Sequence, residues 1–142
     1  MYRFTEDCLT GIETIDEEHR RLFQLINESM ELLKENGASK VIVKNLLKEL
    51  REYAGTHFAH EEAYMEQIKD LELPRQRKEH ALFAAKVDSY KIADLTEEES
   101  SQAAQELLRF MAKWLYRHIL SSDTMIGKMT SESKKEDAFA FT

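Results

Sequence analysis

Cysteine is almost missing from this sequence, and proline and glycine are scarce. The single Cys8 has no partner within the chain, which excludes an internal disulfide and leads us to expect a reducing, cytoplasmic setting. One proline and four glycines leave few points where the backbone can turn sharply. Long elements follow, and in small domains those are helices. No apolar run approaches the ~18 residues of a membrane span. The opening "MYRFTEDCLTG" has no basic stretch followed by an apolar one, so neither a spanning helix nor a secretory leader is expected. Positive charge is in deficit: 20 Lys and Arg face 27 Asp and Glu, a net charge of -7. Nucleic acid and anionic membrane both reward clustered Lys and Arg, so neither is expected as a partner. The short basic groups "HRR" and "RQRK" stand among acids and read as solvated helix faces. A Gly-rich phosphate loop is also absent, so phosphate-cradling catalysis has no support.

What is present is apolar periodicity. With 142 residues, 42% of them hydrophobic, the chain can bury the core of one domain. A first helix is expected to open with Asp16 as N-cap and close near Gly37, its apolar face formed by Leu22, Phe23, Ile26, Met30 and Leu33. A second runs from about Ser39 to Lys69 along Val43, Leu46, Leu47, Leu50, Ala54, His57, Glu61, Met65 and Ile68. Pro74 suits the first turn of a third, whose inner side carries His80, Phe83, Ala84 and Val87. Thr96 and Glu99 have capping-box spacing for a fourth, with a seam of Leu107, Leu108, Met111, Trp114, Leu115, His118 and Ile119 that continues through Met125 and Ile126. The expected fold is all-α: an antiparallel up-down-up-down four-helix bundle with an N-terminal extended segment, over residues 1–130. Residues 131–142 read as a C-terminal tail.

One histidine on an apolar helix face is usually a hydrogen-bonded core residue. Here each helix carries one: His19, His57, His80 and His118. If the first turn centres near residue 38, His19 and His57 each lie 19 residues from it and stand level. Glu61 and His80 lie 10 and 9 residues either side of residue 71 and match as well. His80 and His118 fit less well, because their midpoint at 99 misses the turn expected near 95 by an offset of roughly 12 Å. A longer third helix or an asymmetric loop would repair this. Within the second helix, His57 and Glu61 are ~400° apart and point inward together. His118 and Asp123 are ~500° apart in an α-helix, so Asp123 is expected to reach sideways. Burying imidazoles and carboxylates without compensation costs several kcal/mol each, on the order of what a metal ion would supply. Imidazole suits iron, zinc and copper, and a carboxylate can bridge two cations.

Four fragments in this order, "TGIETIDEEHRRLFQLIN", "HFAHEEAYM", "KEHALF" and "WLYRHILSSD", resemble the hemerythrin family in its single-domain bacterial form, over nearly the whole chain. The resemblance implies a four-helix bundle around two iron ions joined by carboxylates and an oxo or hydroxo bridge. His19 and His57 then bind the iron that stays open to dioxygen, His80 and His118 bind the other, and Glu61 and Asp123 bridge the pair. The family has a further histidine four residues before the position of His80; this chain has Gln76 there. Three outcomes stay open: Gln76 coordinates through oxygen, water takes its place, or the second metal is weakly held. His60 reads as a surface or supporting residue. Phe23, Trp114 and Ile119 are implied as walls of a water-excluding dioxygen pocket.

The function implied is a non-enzymatic dioxygen-binding protein for storage, delivery or sensing. Gln76 motivates an alternative, a di-iron oxidase or peroxidase-like enzyme. A third reading, an iron- or redox-sensing module, needs an unidentified redox or signalling partner.

Overall fold

The computed structural model describes residues 2–36 and 39–128. Four helices dominate it: α1 (Glu13–Asn36), α2 (Lys40–Gln67), α3 (Leu73–Asp88) and α4 (Glu97–His118). They form the expected all-α four-helix bundle, with no strand among the described residues. The core is built from the periodic positions, including Leu22 and Ile26 of α1, Val43 and Leu50 of α2, Phe83 of α3, and Leu107 and Met111 of α4. Gly37 and the tail at 131–142 lie outside the described residues.

The helix ends show how local chemistry sets the frame. Ser39 caps α2, its side chain accepting from the Ile42 N–H. Thr96 and Glu99 form the full capping box at the start of α4. Asp16 is not the N-cap of α1, because that helix begins three residues earlier, at Glu13. Its buried carboxylate instead gathers the incoming chain, accepting from Thr10 N at 2.8 Å, Thr10 Oγ1 at 2.8 Å and Gly11 N at 3.1 Å. Gly11 makes that bend at φ +83°, a conformation that a Cβ would strain. The loop then lies against Gly127 so closely that a Cβ there would sit 1.8 Å from the Thr10 carbonyl oxygen. The N-terminal segment continues along α1, where Asn27 exchanges hydrogen bonds with both backbone groups of Tyr2.

Between α2 and α3 the chain reverses in a Schellman turn. Asp70 N donates to Met65 O and Lys69 N to Glu66 O, with Lys69 held at φ 56°. Glu61 and His80 thereby stand at matching distances from the reversal. From α3 to α4 the connection is long and asymmetric, including a short 3₁₀ turn at Ile92–Asp94. Ile92 is buried in the core, so this segment climbs along the bundle before α4 begins. That climb removes the expected mismatch between His80 and His118, because it carries Ile92 and Asp94 beside Lys44 and Leu47, toward the start of α2.

The end of α4 departs most from expectation. After His118 the chain widens into a π-helical turn, Ile119–Asp123, and then resumes α-helical form through residue 128. A π turn closes hydrogen bonds from i to i+5, so residues five apart return to one face. Asp123 therefore needs no sideways reach, and it is fully buried beside His118. The seam does not continue through Met125, which is 48% exposed, although Ile126 is buried.

Candidate metal centre

His19, His57, Glu61, Gln76, His80, His118 and Asp123 are all buried, and all four helices and the π turn contribute to one cluster. His19 lies 17 residues before the last residue of α1, and His57 lies 17 after the first of α2, which sets them level across the first turn. Their rings meet edge to face, with centroids 4.6 Å apart. On the opposite side, His80 Nε2 and His118 Nε2 approach to 3.2 Å.

The two carboxylates lie between these pairs. Asp123 Oδ2 is 3.1 Å from His19 Nε2, while Oδ1 is 3.2 Å from His118 Nε2. Glu61 Oε1 lies 3.2 Å from His57 Nε2 and 3.4 Å from His80 Nε2, and Oε2 lies 3.6 Å from His19 Nε2. Each carboxylate therefore faces both halves of the cluster. Two sets of donor atoms are compact enough to hold an ion: His19, His57, Glu61 and Asp123, and Glu61, His80 and His118. They share Glu61.

Orphaned polar atoms show that the protein alone does not satisfy this interior. His19 Nε2, His57 Nε2, both Glu61 oxygens and Asp123 Oδ2 are buried without a hydrogen-bond partner. Leaving such groups unpaired costs about 1–3 kcal/mol each. Cations at the donor sets would satisfy these inward-facing atoms, so the residues fit bound metal.

Electrostatics agree. Burial alone would lower the pKa of His57, but the Glu61 charge beside it, the hydrogen bond to Glu18 and the nearby Asp123 carry it up to about 10. Burial likewise opposes protonation of His19 and His118, yet Asp123 and the neighbouring carboxylates raise both. Glu61 is held well below the carboxylate range: burial would raise it, and the His57 charge with the close approach of His19 and His80 overrides that. Protons on these histidines and cations at the donor sets would compete for the same inward-facing nitrogens.

Behind three of the histidines stands a second ring of acids. Glu18 Oε1 is 3.0 Å from His57 Nδ1, Glu62 Oε2 is 2.9 Å from His80 Nδ1, and Glu79 Oε2 pairs with His118 Nδ1. A carboxylate at Nδ1 fixes the tautomer and turns Nε2 inward as a donor. Ser122 and Arg75 in turn hold Glu79. His60 is 60% exposed and joins the network from outside, its Nδ1 2.6 Å from Glu18 Oε2. These acids were not singled out from sequence, although a signal exists. Glu18-His19 and Glu79-His80 are repeated Glu-His pairs in which the histidine faces inward while the glutamate reaches the next helix. Both reaches span 39 residues.

Gln76 points into the cluster, its Nε2 donating to Asp123 Oδ1 at 2.9 Å, while its Oε1 has no partner. Of the three residues expected to wall a pocket, Phe23 and Ile119 are buried. Trp114 lies flat on the His118 ring, with centroids 4.5 Å apart at 14°. Phe58, not anticipated in this place, stacks on His80 at 4.0 Å and 8°.

Known proteins with this pattern are consistent with the geometry. Residues 10–130 match the hemerythrin HHE cation binding domain. A bacteriohemerythrin of Clostridium acetobutylicum is 35% identical over 127 residues, covering 87% of this chain and 96% of that protein. One from Pseudomonas aeruginosa is 30% identical over 118 residues, covering 83% and 74% respectively. Another, from Stenotrophomonas maltophilia, is 27% identical over the same shares. With the bundle, the shared carboxylates and the family match over residues 10–130 in agreement, this chain belongs to the hemerythrin family.

Proposed function

We propose that this protein binds dioxygen at a non-haem di-iron centre, as a carrier, store or sensor and not as an enzyme. The observation that carries the reading is the pair of buried donor sets sharing Glu61, with inward-facing atoms left unpartnered. In this reading His19 and His57 would hold one iron and His80 and His118 the other, with Glu61 and Asp123 placed to serve both. Iron supplies the reversible electron transfer on which dioxygen binding depends. The chain's own residues do the rest. Glu18, Glu62 and Glu79 orient the imidazoles. Phe23 and Ile119 exclude water, and Trp114 covers His118.

The family match supports reading residues 1–130 as this one domain and 131–142 as a tail. No helix among the described residues is long and apolar enough to cross a membrane. A cytoplasmic location belongs to the same proposal, motivated by the unpaired Cys8. Anaerobic reconstitution with ferrous iron, followed by air, should give charge-transfer absorption that fades when oxygen is removed. A colourless protein holding fewer than two irons refutes the reading.

One observation favours an oxidase or peroxidase-like alternative. Gln76 stands where the family has a ligand histidine, and its amide N–H is engaged by Asp123. Rapid autoxidation and peroxide turnover, lost on His19→Ala, would support that alternative. A stable oxygenated form that releases intact dioxygen counts against it.

A further inference from the structure

We infer that the ion held by His80 and His118 keeps a coordination position open to small nitrogen- or oxygen-donor ligands, reached through a cavity of its own. This rests on the di-metal reading above and adds a second point of ligand exchange to it.

The cavity lies between the α2–α3 turn and the π turn. Its volume is about 280 Å³, and its lining includes Met65, Leu71, Arg75, Gln76, Ser122 and Met125. That is room for several waters, at about 30 Å³ each in the liquid, or for a ligand of a few heavy atoms. Gln76 is the partition. It is only 2% exposed, contributes to the cavity wall, and contacts the cluster through Asp123.

The orientation of that amide follows from hydrogen-bond chemistry. An ionised carboxylate only accepts, so the face of Gln76 turned to Asp123 Oδ1 has to be the NH₂. An amide nitrogen delocalises its lone pair into the carbonyl and is a poor metal donor. The group that Gln76 turns to Asp123 is therefore a hydrogen-bond donor and not a ligand, and its buried carbonyl oxygen meets no protein partner. The compact donor set on this side is Glu61, His80 and His118, and three protein donors would leave room for further ligands on an ion there. A neutral amide that hydrogen-bonds to a carboxylate can also give way more readily than a coordinated imidazole.

The cavity is not an electrostatic funnel. Arg75 is committed to Glu79 at 3.1 Å, Ser122 at 3.2 Å and Glu72 at 3.7 Å, and Asp70 accepts from Glu72 N. Its rim mixes exposed apolar side chains, Leu71 at 89% and Met125 at 48%, with the ion-paired Glu72 and Arg75. Affinity would thus come from the metal, and the cavity volume of about 280 Å³ limits the ligand's size.

Azide is the probe. The iron-loaded, oxidised protein is first assayed for metal, then titrated with azide by absorption and calorimetry. The expected result is two azides per chain, one at each ion. Gln76→His should lose the second event and keep the first. Met125→Trp, which crowds the entry, should keep both and slow only the second. Two metals with a single azide in the unaltered protein overturns the inference and leaves the di-metal reading intact. Fewer than two metals overturns both. A Gln76→His chain that still takes two azides, or a Met125→Trp chain with an unchanged second rate, overturns the assigned position or route.

Discussion

Metal uptake should release protons, and His57 sets the scale. In the metal-free chain its pKa rises from 6.5 to about 10, burial being outweighed by the Glu61 charge and the hydrogen bond to Glu18. An imidazolium has no lone pair to offer, so an incoming ion must evict the proton. At pH 7, three units below that value, eviction costs roughly 4 kcal/mol. Apparent affinity is then about a thousandfold below its alkaline limit. His19 and His118, also raised, add to the effect. Zinc, which has no redox chemistry, gives the cleanest assay. Calorimetry in buffers of different ionisation enthalpy should show net proton release near neutrality, and chelator competition should show affinity rising about tenfold per pH unit for each proton displaced. Binding that is independent of pH and releases no protons would refute the picture of protons standing in for cations. The same pairs stabilise the metal-free fold, with opposite signs at the two ends of the scale. The contribution of His57 is complete below pH 6.5 and is lost as pH climbs through about 10. That of Glu61 is present above its ordinary 4.5 and disappears as pH falls through its lower folded value. Melting of the metal-free protein should therefore peak between those ordinary values, and the metal-loaded protein should escape the alkaline decline.

Three further outcomes are expected. Glu79→Gln keeps the shape but removes the charge behind His118, and should weaken zinc binding by about 10–100-fold with unchanged circular dichroism. Lys69→Gly relieves a left-handed residue at the end of α2, and should raise stability in urea by about 1 kcal/mol. Leu107→Ala empties a site that is 0% exposed, and should cost about 2–5 kcal/mol by the same assay.

The bundle was legible because its signals are local and periodic. Leu22, Ile26, Leu50, Leu107 and Met111 announce their inward faces by spacing, and Ser39 and Thr96 announce helix starts. The level of His19 with His57 could be counted because only three residues of sequence separate two long helices. Asp16 misled because an aspartate before an apolar stripe looks like a cap, whereas its partners, Thr10 and Gly11, lie in a preceding loop that periodicity does not describe. The climb of residues 89–96 was hidden for a similar reason, since a connection carries no period from which to read its direction. The supporting acids Glu18, Glu62 and Glu79 look like ordinary solvated charges, and only the helix–helix contacts show which imidazole each one meets. What could have been noticed is arithmetic: His19 to His57 and His80 to His118 are both 38 residues apart.

The wide turn at Ile119–Asp123 has a consequence for the upkeep of such a scaffold. It amounts to one residue spliced into an otherwise regular rod, and regularity is what would be regained by excising it. Tightening that stretch to ordinary α-helical width with every residue kept would swing the terminal carboxylate about 100° away from its companions, whereas removing one residue between His118 and Asp123 would leave it ~400° round from the histidine, the relation His57 and Glu61 already have. The shortened molecule should therefore still fold and keep both of the hands with which it grips its cargo.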